Sequence, residues 1–329
     1  MLKRLSALFI LLLALLPAAG CAGQKKSAPS GLAELAVSLY EPEESADSEW
    51  TEQSEPPIDD DSANNTNSQK PASQKPAVPS SQKPPAASIP PRETVRITIP
   101  EGYTVSQIGD LLAAKGICTK KDYMAAVTTV DFGQYYSFVG SIPATAGRCY
   151  KLEGYLFPNT YDFYKNMDAA DAIGKLLREA QNKLVGKYSH SKLSFDELLT
   201  LASIIEKETG NKAEMARVSS VFHNRLNSKM KLQADATINY LERYVKPNLT
   251  ENVNRYSEFY NTYKCKALPS GPICSPGANA LVAAANPADT DYLFFAADKN
   301  TGRYYYAATY AEHLDNCRLL GLLSEKPTE

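Results

Sequence analysis

Between Ser27 and Gln69 the chain carries eleven acidic residues and not one lysine or arginine. The tetrapeptide SQKP then recurs at 68–71, 73–76 and 81–84 amid proline, alanine and serine. Apart from LAELAVSLY at 32–40, residues 22–93 show no long apolar pattern. Such composition cannot bury enough apolar surface to offset chain entropy, so a disordered acidic and Pro-rich linker is expected over 21–93. Any fold must therefore come from the chain after Thr94, which is still long enough for a sizeable core. As a flexible coil, a tether of about 72 residues would average roughly 45 Å between its ends.

Ahead of the linker, Lys3 and Arg4 precede the uncharged run LSALFILLLALLPAA, from Leu5 to Ala19. A short basic segment followed by some fifteen apolar residues fits an export signal over 1–20 and falls short of the roughly 20 that a membrane span needs. The run closes on Ala18-Ala19-Gly20-Cys21, which resembles a bacterial lipobox, although Ala18 stands where leucine is usual. The resemblance implies lipidation of Cys21 and a chain anchored by lipid to the extracytoplasmic face of the cell membrane. An uncleaved signal anchor is the alternative.

Over all 329 residues, 35 basic and 37 acidic side chains leave a net charge of −2, which argues against a nucleic-acid partner. The three histidines, His190, His223 and His313, lie too far apart for a metal-binding motif, so neither a metal nor an organic cofactor is expected. Beyond Cys21 there remain Cys118, Cys149, Cys265, Cys274 and Cys317, an odd number that cannot all pair within the chain.

The folded part reads as α+β. VRITIP (95–100) alternates as a strand, Glu101-Gly102 makes a turn, and Thr104 or Ser106 caps the amphipathic helix VSQIGDLLAAKG. A second helix is expected over KKDYMAAVTTV. This opening, taken as a subdomain over 94–150, resembles the LysM modules that bind cell-wall glycans. LEGYLFPNTYDFY (152–164) reads as strand, turn and strand, and Glu153 within it is either a functional carboxylate or a strand-end charge. A helix follows over 169–185, and DYLFFAAD with RYYYAATY reads as a closing hairpin.

The stretch 194–230 is the most informative. Ser194 and Glu197 form a capping box that opens the helix FDELLTLASIIEKETG, and Asn211 with Glu214 repeats the device for KAEMARVSSVFHNRLNSKM. Met215, Val218, Phe222 and Leu226 form the buried stripe of that second helix. Glu206 shares a face with Leu199, Ala202 and Ser203, where an apolar wall would raise a carboxyl pKa as a general acid requires. Glu208 shares a face with Leu201, Ile204 and Ile205, so periodicity does not choose between the two. In KLQADATINY, Gln233, Asp235 and Thr237 alternate as on an extended segment, and ALPSGPICSPGANAL is a rigid loop running into a helix.

LEGYLFPNTY, LASIIEKET, VFHNRL, MKLQADATINY, YNTYK, LPSGPICSPG and TYAEH, in this order over residues 94–320, resemble the YceG-like family of endolytic murein transglycosylases. The resemblance implies a LysM-like subdomain followed by a mixed α/β catalytic domain over 151–325. It implies cleavage of the MurNAc–GlcNAc β-1,4 bond within nascent glycan strands to give 1,6-anhydro-MurNAc ends. It also implies Glu206 as the catalytic acid, peptidoglycan strands as the partner, and cell-wall synthases such as penicillin-binding proteins nearby. Ala267, Ser275 and the Tyr304–Tyr306 run depart from the residues usual in the family.

One carboxylate suffices for such chemistry, because the sugar's own C6 hydroxyl replaces water as nucleophile. Gln233, Asp235, Asn261 and Tyr263 are expected along a sugar groove. Asn224 and Arg225 either join them or tie their helix to the loop. Two other readings stay open: a non-catalytic wall-binding lipoprotein, and a muramidase in which Asp235 or Glu153 serves as a second carboxylate.

Overall fold

The computed structural model describes residues 92–249, 253–298 and 300–323. The expected export signal, Cys21 and the linker up to residue 91 lie outside the described residues. Among the described residues, no helix is long and apolar enough to cross a membrane.

Strand β1 (Thr94–Thr98) leads into α1 (Val105–Ala114) and α2 (Lys120–Thr129). Thr104, the residue of the two candidates that caps, closes a full capping box with Gln107. A short α3 (Ser137–Gly140) follows, then β2 (Thr160–Tyr164), which pairs antiparallel with β1 from Thr94↔Tyr164 to Thr98↔Thr160. The partner of β1 thus lies on the far side of residue 150. Ile97, Tyr161 and Phe163 point inward, while Arg96 and Asp162 pair across the exposed face at 2.8 Å. The long α4 (Ala169–Leu184), capped by Asp168, buries the stripe Ala172, Ile173, Leu176, Leu177 and Ala180 and packs against α2.

Residues 152–156 are turns rather than the expected strand. Leu152, Glu153, Tyr155 and Leu156 are all buried, so the two-residue alternation of a half-buried strand is missing. Gly154 reverses the chain at φ +82°, and a Cβ there would meet Pro272 Cβ at 2.4 Å.

Helix α5 (Phe195–Glu208) opens on the expected Ser194–Glu197 capping box. Every residue from Leu198 to Ile205 is buried, which makes α5 the central helix of the molecule. Helix α6 (Met215–Asn227) buries Met215, Val218 and Phe222, with Leu226 half-buried. Its expected capping box does not form: Glu214 makes no capping bond, and Asn211 Oδ1 instead accepts the Ala213 N–H two residues on.

KLQADATINY is another difference. Gln233 turns the chain at φ +50°, and α7 (Asp235–Tyr240) begins two residues later, continuing as a π-helical turn over Leu241–Val245. Thr237 and Thr262, both buried, hydrogen-bond across this corner, so tertiary contacts override the local alternation. A short α8 (Ser257–Tyr260) precedes the Pro/Gly loop, and α9 (Ala278–Ala285) packs on α5 and α6. The expected hairpin is β3 (Phe294–Ala297) with β4 (Tyr304–Ala307), followed by α10 (Tyr310–Leu319), capped by Thr309 and Glu312. Cys118, Cys149, Cys265, Cys274 and Cys317 are all free thiols.

Candidate active site

The last two turns of α5 hold the Pro/Gly loop in place. Ser203 Oγ accepts the Ile273 N–H at 3.0 Å and donates to Thr200 O at 2.7 Å. One turn later, Glu206 Oε2 accepts the Gly277 N–H at 3.0 Å. Across the loop, Gly102 N–H donates to Ser275 O, and Ser275 N–H to Tyr103 O, each at 2.8 Å. The turn between β1 and α1 is thereby joined to the loop that covers Glu206.

Glu101 stands in that turn, and nothing in the sequence around it marks it as more than a turn residue. A Cβ on Gly277 would lie 2.0 Å from Glu101 Oε1, so only glycine leaves room for this carboxylate. A Cβ on Gly102 would lie 3.4 Å from Lys207 Nζ and 3.6 Å from Glu206 Cγ, so both side chains flank the same glycine. Glu101, Glu206 and Lys207 therefore share one small space at the junction of α5, the loop and the β1–α1 turn.

Burial raises the Glu206 carboxyl above its ordinary value. The Gly277 N–H opposes that shift, the Glu101 charge adds to it, and Lys207 and Lys212 oppose it more weakly. Two other carboxyls are also raised, each to about 7 and chiefly by burial, but each accepts a backbone N–H from the first turn of a helix, Glu153 from α1 and Glu208 from α7. Glu153 is 1% exposed; its Oε1 accepts the Val105 N–H at 2.9 Å and its Oε2 the Tyr240 hydroxyl at 3.0 Å. It is not a strand-end charge, but a clasp between the start of α1 and the end of α7. Glu208 faces the first turn of α7, where the Ala236 N–H bonds to it, and its Oε1 is buried without a hydrogen bond. Of the two glutamates that periodicity left open, Glu206 faces the loop and Glu101, and Glu208 faces α7.

The expected groove residues gather at the start of α7. Gln233 N–H donates to Thr262 O at 3.2 Å, and the exposed Asp235 accepts the Tyr263 hydroxyl at 2.7 Å. Asn261 Oδ1 accepts the Tyr263 N–H at 2.9 Å. Asn224 and Arg225 lie behind this group. Asn224 Nδ2 donates to Thr290 O and Tyr292 O at 2.8 and 3.0 Å. Arg225, 3% exposed, donates to Leu293 O and Leu232 O, reaches Gln233 Oε1 at 3.2 Å, and stacks over Phe294. Both tie α6 to neighbouring loops, and Arg225 also orients Gln233. Among the described residues, no three His, Cys, Asp or Glu side chains cluster to hold a metal ion.

The sequence matches the YceG-like family over residues 80–319. It is 34% identical over 236 residues to an endolytic murein transglycosylase of Streptococcus pneumoniae serotype 2, a match covering 66% of this chain and 43% of that protein. An endolytic murein transglycosylase of Bacillus subtilis strain 168 is 34% identical over 227 residues, covering 66% of this chain and 63% of that one. The chain thus spans less than two thirds of either relative. The crystal structure of a yceG-like protein from Listeria monocytogenes superposes with a TM-score of 0.58 at 32% identity, over 67% of this chain and 75% of its own. With the family match covering most of the chain and a solved structure sharing its fold, this protein belongs to the YceG-like family.

Proposed function

We propose that this chain is an endolytic peptidoglycan transglycosylase whose acid and base is Glu206. The observation that carries the reading is Glu206 itself, a half-buried carboxyl with a raised pKa, held by the Gly277 N–H beside Glu101. The two relatives named as endolytic murein transglycosylases supply the substrate class.

Neutral Glu206 gives its proton to the glycosidic oxygen, O4 of the departing GlcNAc, as the bond from that oxygen to C1 of MurNAc breaks. Positive charge gathers at C1. The carboxylate then takes the proton of the MurNAc C6 hydroxyl while that oxygen bonds to C1, closing the 1,6-anhydro ring. Glu206 ends protonated, and no water is consumed. A single group acting first as acid must start neutral, which is the state that burial and Glu101 favour. The Gly277 N–H fixes one carboxyl oxygen, so the proton-carrying oxygen has a defined direction. Gln233, Asp235, Asn261 and Tyr263 line the sugar groove in this reading, with Asn224 and Arg225 holding the groove's backbone.

The antiparallel β1–β2 pair, with α1 and α2 packed on each other after β1, supports a LysM-like role in holding the strand, since the β1–α1 turn reaches Glu206. Lipidation at Cys21 and a linker through residue 93 would keep the site on the extracytoplasmic face, within reach of nascent strands and their synthases.

The test is mass spectrometry of peptidoglycan digested by the detergent-solubilised full chain, wild type beside Glu206→Gln. Internal anhydro-MurNAc ends made by wild type and missing with the variant support the reading. Reducing MurNAc ends would mean a muramidase. Glycan binding without cleavage by wild type would mean a wall-binding protein.

A further inference from the structure

A cavity of about 170 Å³ opens between α5 and α7, lined by Lys207, Ala236, Asn239, Tyr240, Arg243, Tyr244 and Ile273. One face of α7 builds most of it. Ala236, Asn239, Tyr240 and Arg243 follow at helical spacing, and the π-helical turn carries Arg243 and Tyr244 to its edge. Lys207 closes the opposite side from α5, its Nζ 6.0 Å from the centre of the Tyr244 ring.

Two cations line this space, and neither is taken up in a salt bridge. Among the described residues, neither Lys207 nor Arg243 has an ion-pair partner within 4.0 Å, although the molecule forms such pairs at many other places. Tyr240 commits its hydroxyl to Glu153 at 3.0 Å, so its ring serves as wall. Asn239 adds an amide at the exposed rim. Two cations outside any salt bridge, on the rim of one concave space, favour an anion. The size limits it: drug-sized ligands need roughly 300 Å³ or more, so this space takes one small group, such as a carboxylate and its short carbon chain.

Position supplies the rest. Lys207, which lines the cavity, approaches Gly102 together with Glu206, so the Lys207 side of the cavity adjoins the candidate acid. In peptidoglycan the anions nearest the scissile bond hang from the lactyl arm on C3 of the muramic acid whose C1 is cleaved. We propose that this cavity is a subsite for a carboxylate on the C3 arm of that muramic acid, gripped by Arg243 and Lys207. The inference rests on the transglycosylase reading. The anion is either the lactyl carboxylate of a bare arm or a carboxylate of the attached peptide.

Calorimetric titration of the detergent-solubilised full chain tests it, with three tetrasaccharides: peptide-bearing muramyl, bare muramyl, and chitotetraose, which lacks the arm. Wild type should bind at least one arm-bearing ligand about tenfold more tightly than chitotetraose, the gain expected of a charge-assisted bond. Raised salt should shrink that gap. Arg243→Gln should narrow it severalfold, and Arg243→Glu should erase it. Whichever muramyl ligand carries the gap identifies the anion. A wild-type affinity for chitotetraose equal to that for both muramyl ligands, or a gap untouched in both variants, overturns the subsite. Peptidoglycan digested in parallel separates the two claims. Anhydro ends without a gap sink the subsite alone, and a gap without anhydro ends sinks the transglycosylase reading alone.

Discussion

Gly277 donates its backbone N–H to Glu206 Oε2 at 3.0 Å, while the place its missing side chain would occupy is filled by Glu101. One glycine therefore holds the candidate acid with its amide and admits a second carboxylate with its vacancy. The second effect is open to a subtle substitution. Gly277 sits at φ −78°, so alanine adds no backbone strain. Its methyl displaces the Glu101 carboxylate, the mobile end of an exposed side chain, toward solvent. The expected outcome for Gly277→Ala is a Tm within a few degrees of wild type and a clear fall in cleavage at neutral pH, read by differential scanning fluorimetry beside the digestion assay.

Glu101→Gln should act through Glu206 and show in the pH profile. The Glu101 charge helps hold the Glu206 proton; removing it lowers the Glu206 pKa, and a smaller fraction is neutral at any given pH. The alkaline limb of kcat/KM, which follows loss of that proton, should move to lower pH, with rates converging with wild type in acid. Kinetics from pH 4.5 to 8.5 check this. An unmoved limb would mean that Glu101 does not act through Glu206.

Stability should fall as pH rises. Glu153 and Glu208 are both lifted in the folded chain to about 7, above the ordinary 4.5, so the native state favours their neutral forms. That preference is fully present below about pH 4.5 and is lost as pH climbs through 7. For the sealed Glu153, ionisation at pH 8 costs roughly 3 kcal/mol, taken from its shift at 1.36 kcal/mol per pH unit. Glu153→Gln keeps a neutral partner for Val105 and Tyr240 and should be the more stable protein at pH 8, with a shallower slope of urea stability between pH 5 and 8.

Arg225→Ala should be among the more damaging single changes. It removes a buried guanidinium that serves the carbonyls of Leu293 and Leu232 and the amide of Gln233. Stranding those acceptors is expected to cost about 3 kcal/mol or more in urea unfolding. Arg225→Lys should recover only part of it, because one ammonium cannot span the same fork of acceptors.

Local features of the sequence were enough for much of the fold. The capping box at Ser194 and Glu197, the helix spacing of α1, α2, α4 and α5, and the alternation of the last hairpin were legible because each arises within a few residues. The motif order was enough to indicate the family, and the face shared by Leu199, Ala202 and Ser203 put Glu206 among the candidates. Other features depended on distant partners. β1 finds its pairing strand only at Thr160–Tyr164. KLQADATINY alternates like a strand, yet becomes helix where the Thr237–Thr262 hydrogen bond fixes the corner. Glu153 is buried because Val105 and Tyr240 meet it from two helices, and Glu101 reaches Glu206 across Gly277, far along the chain. Caps and periodicity act over one or two turns of chain, whereas the burial and proximity that tune a carboxyl are properties of the packed molecule, created only when segments far apart in sequence exclude water together.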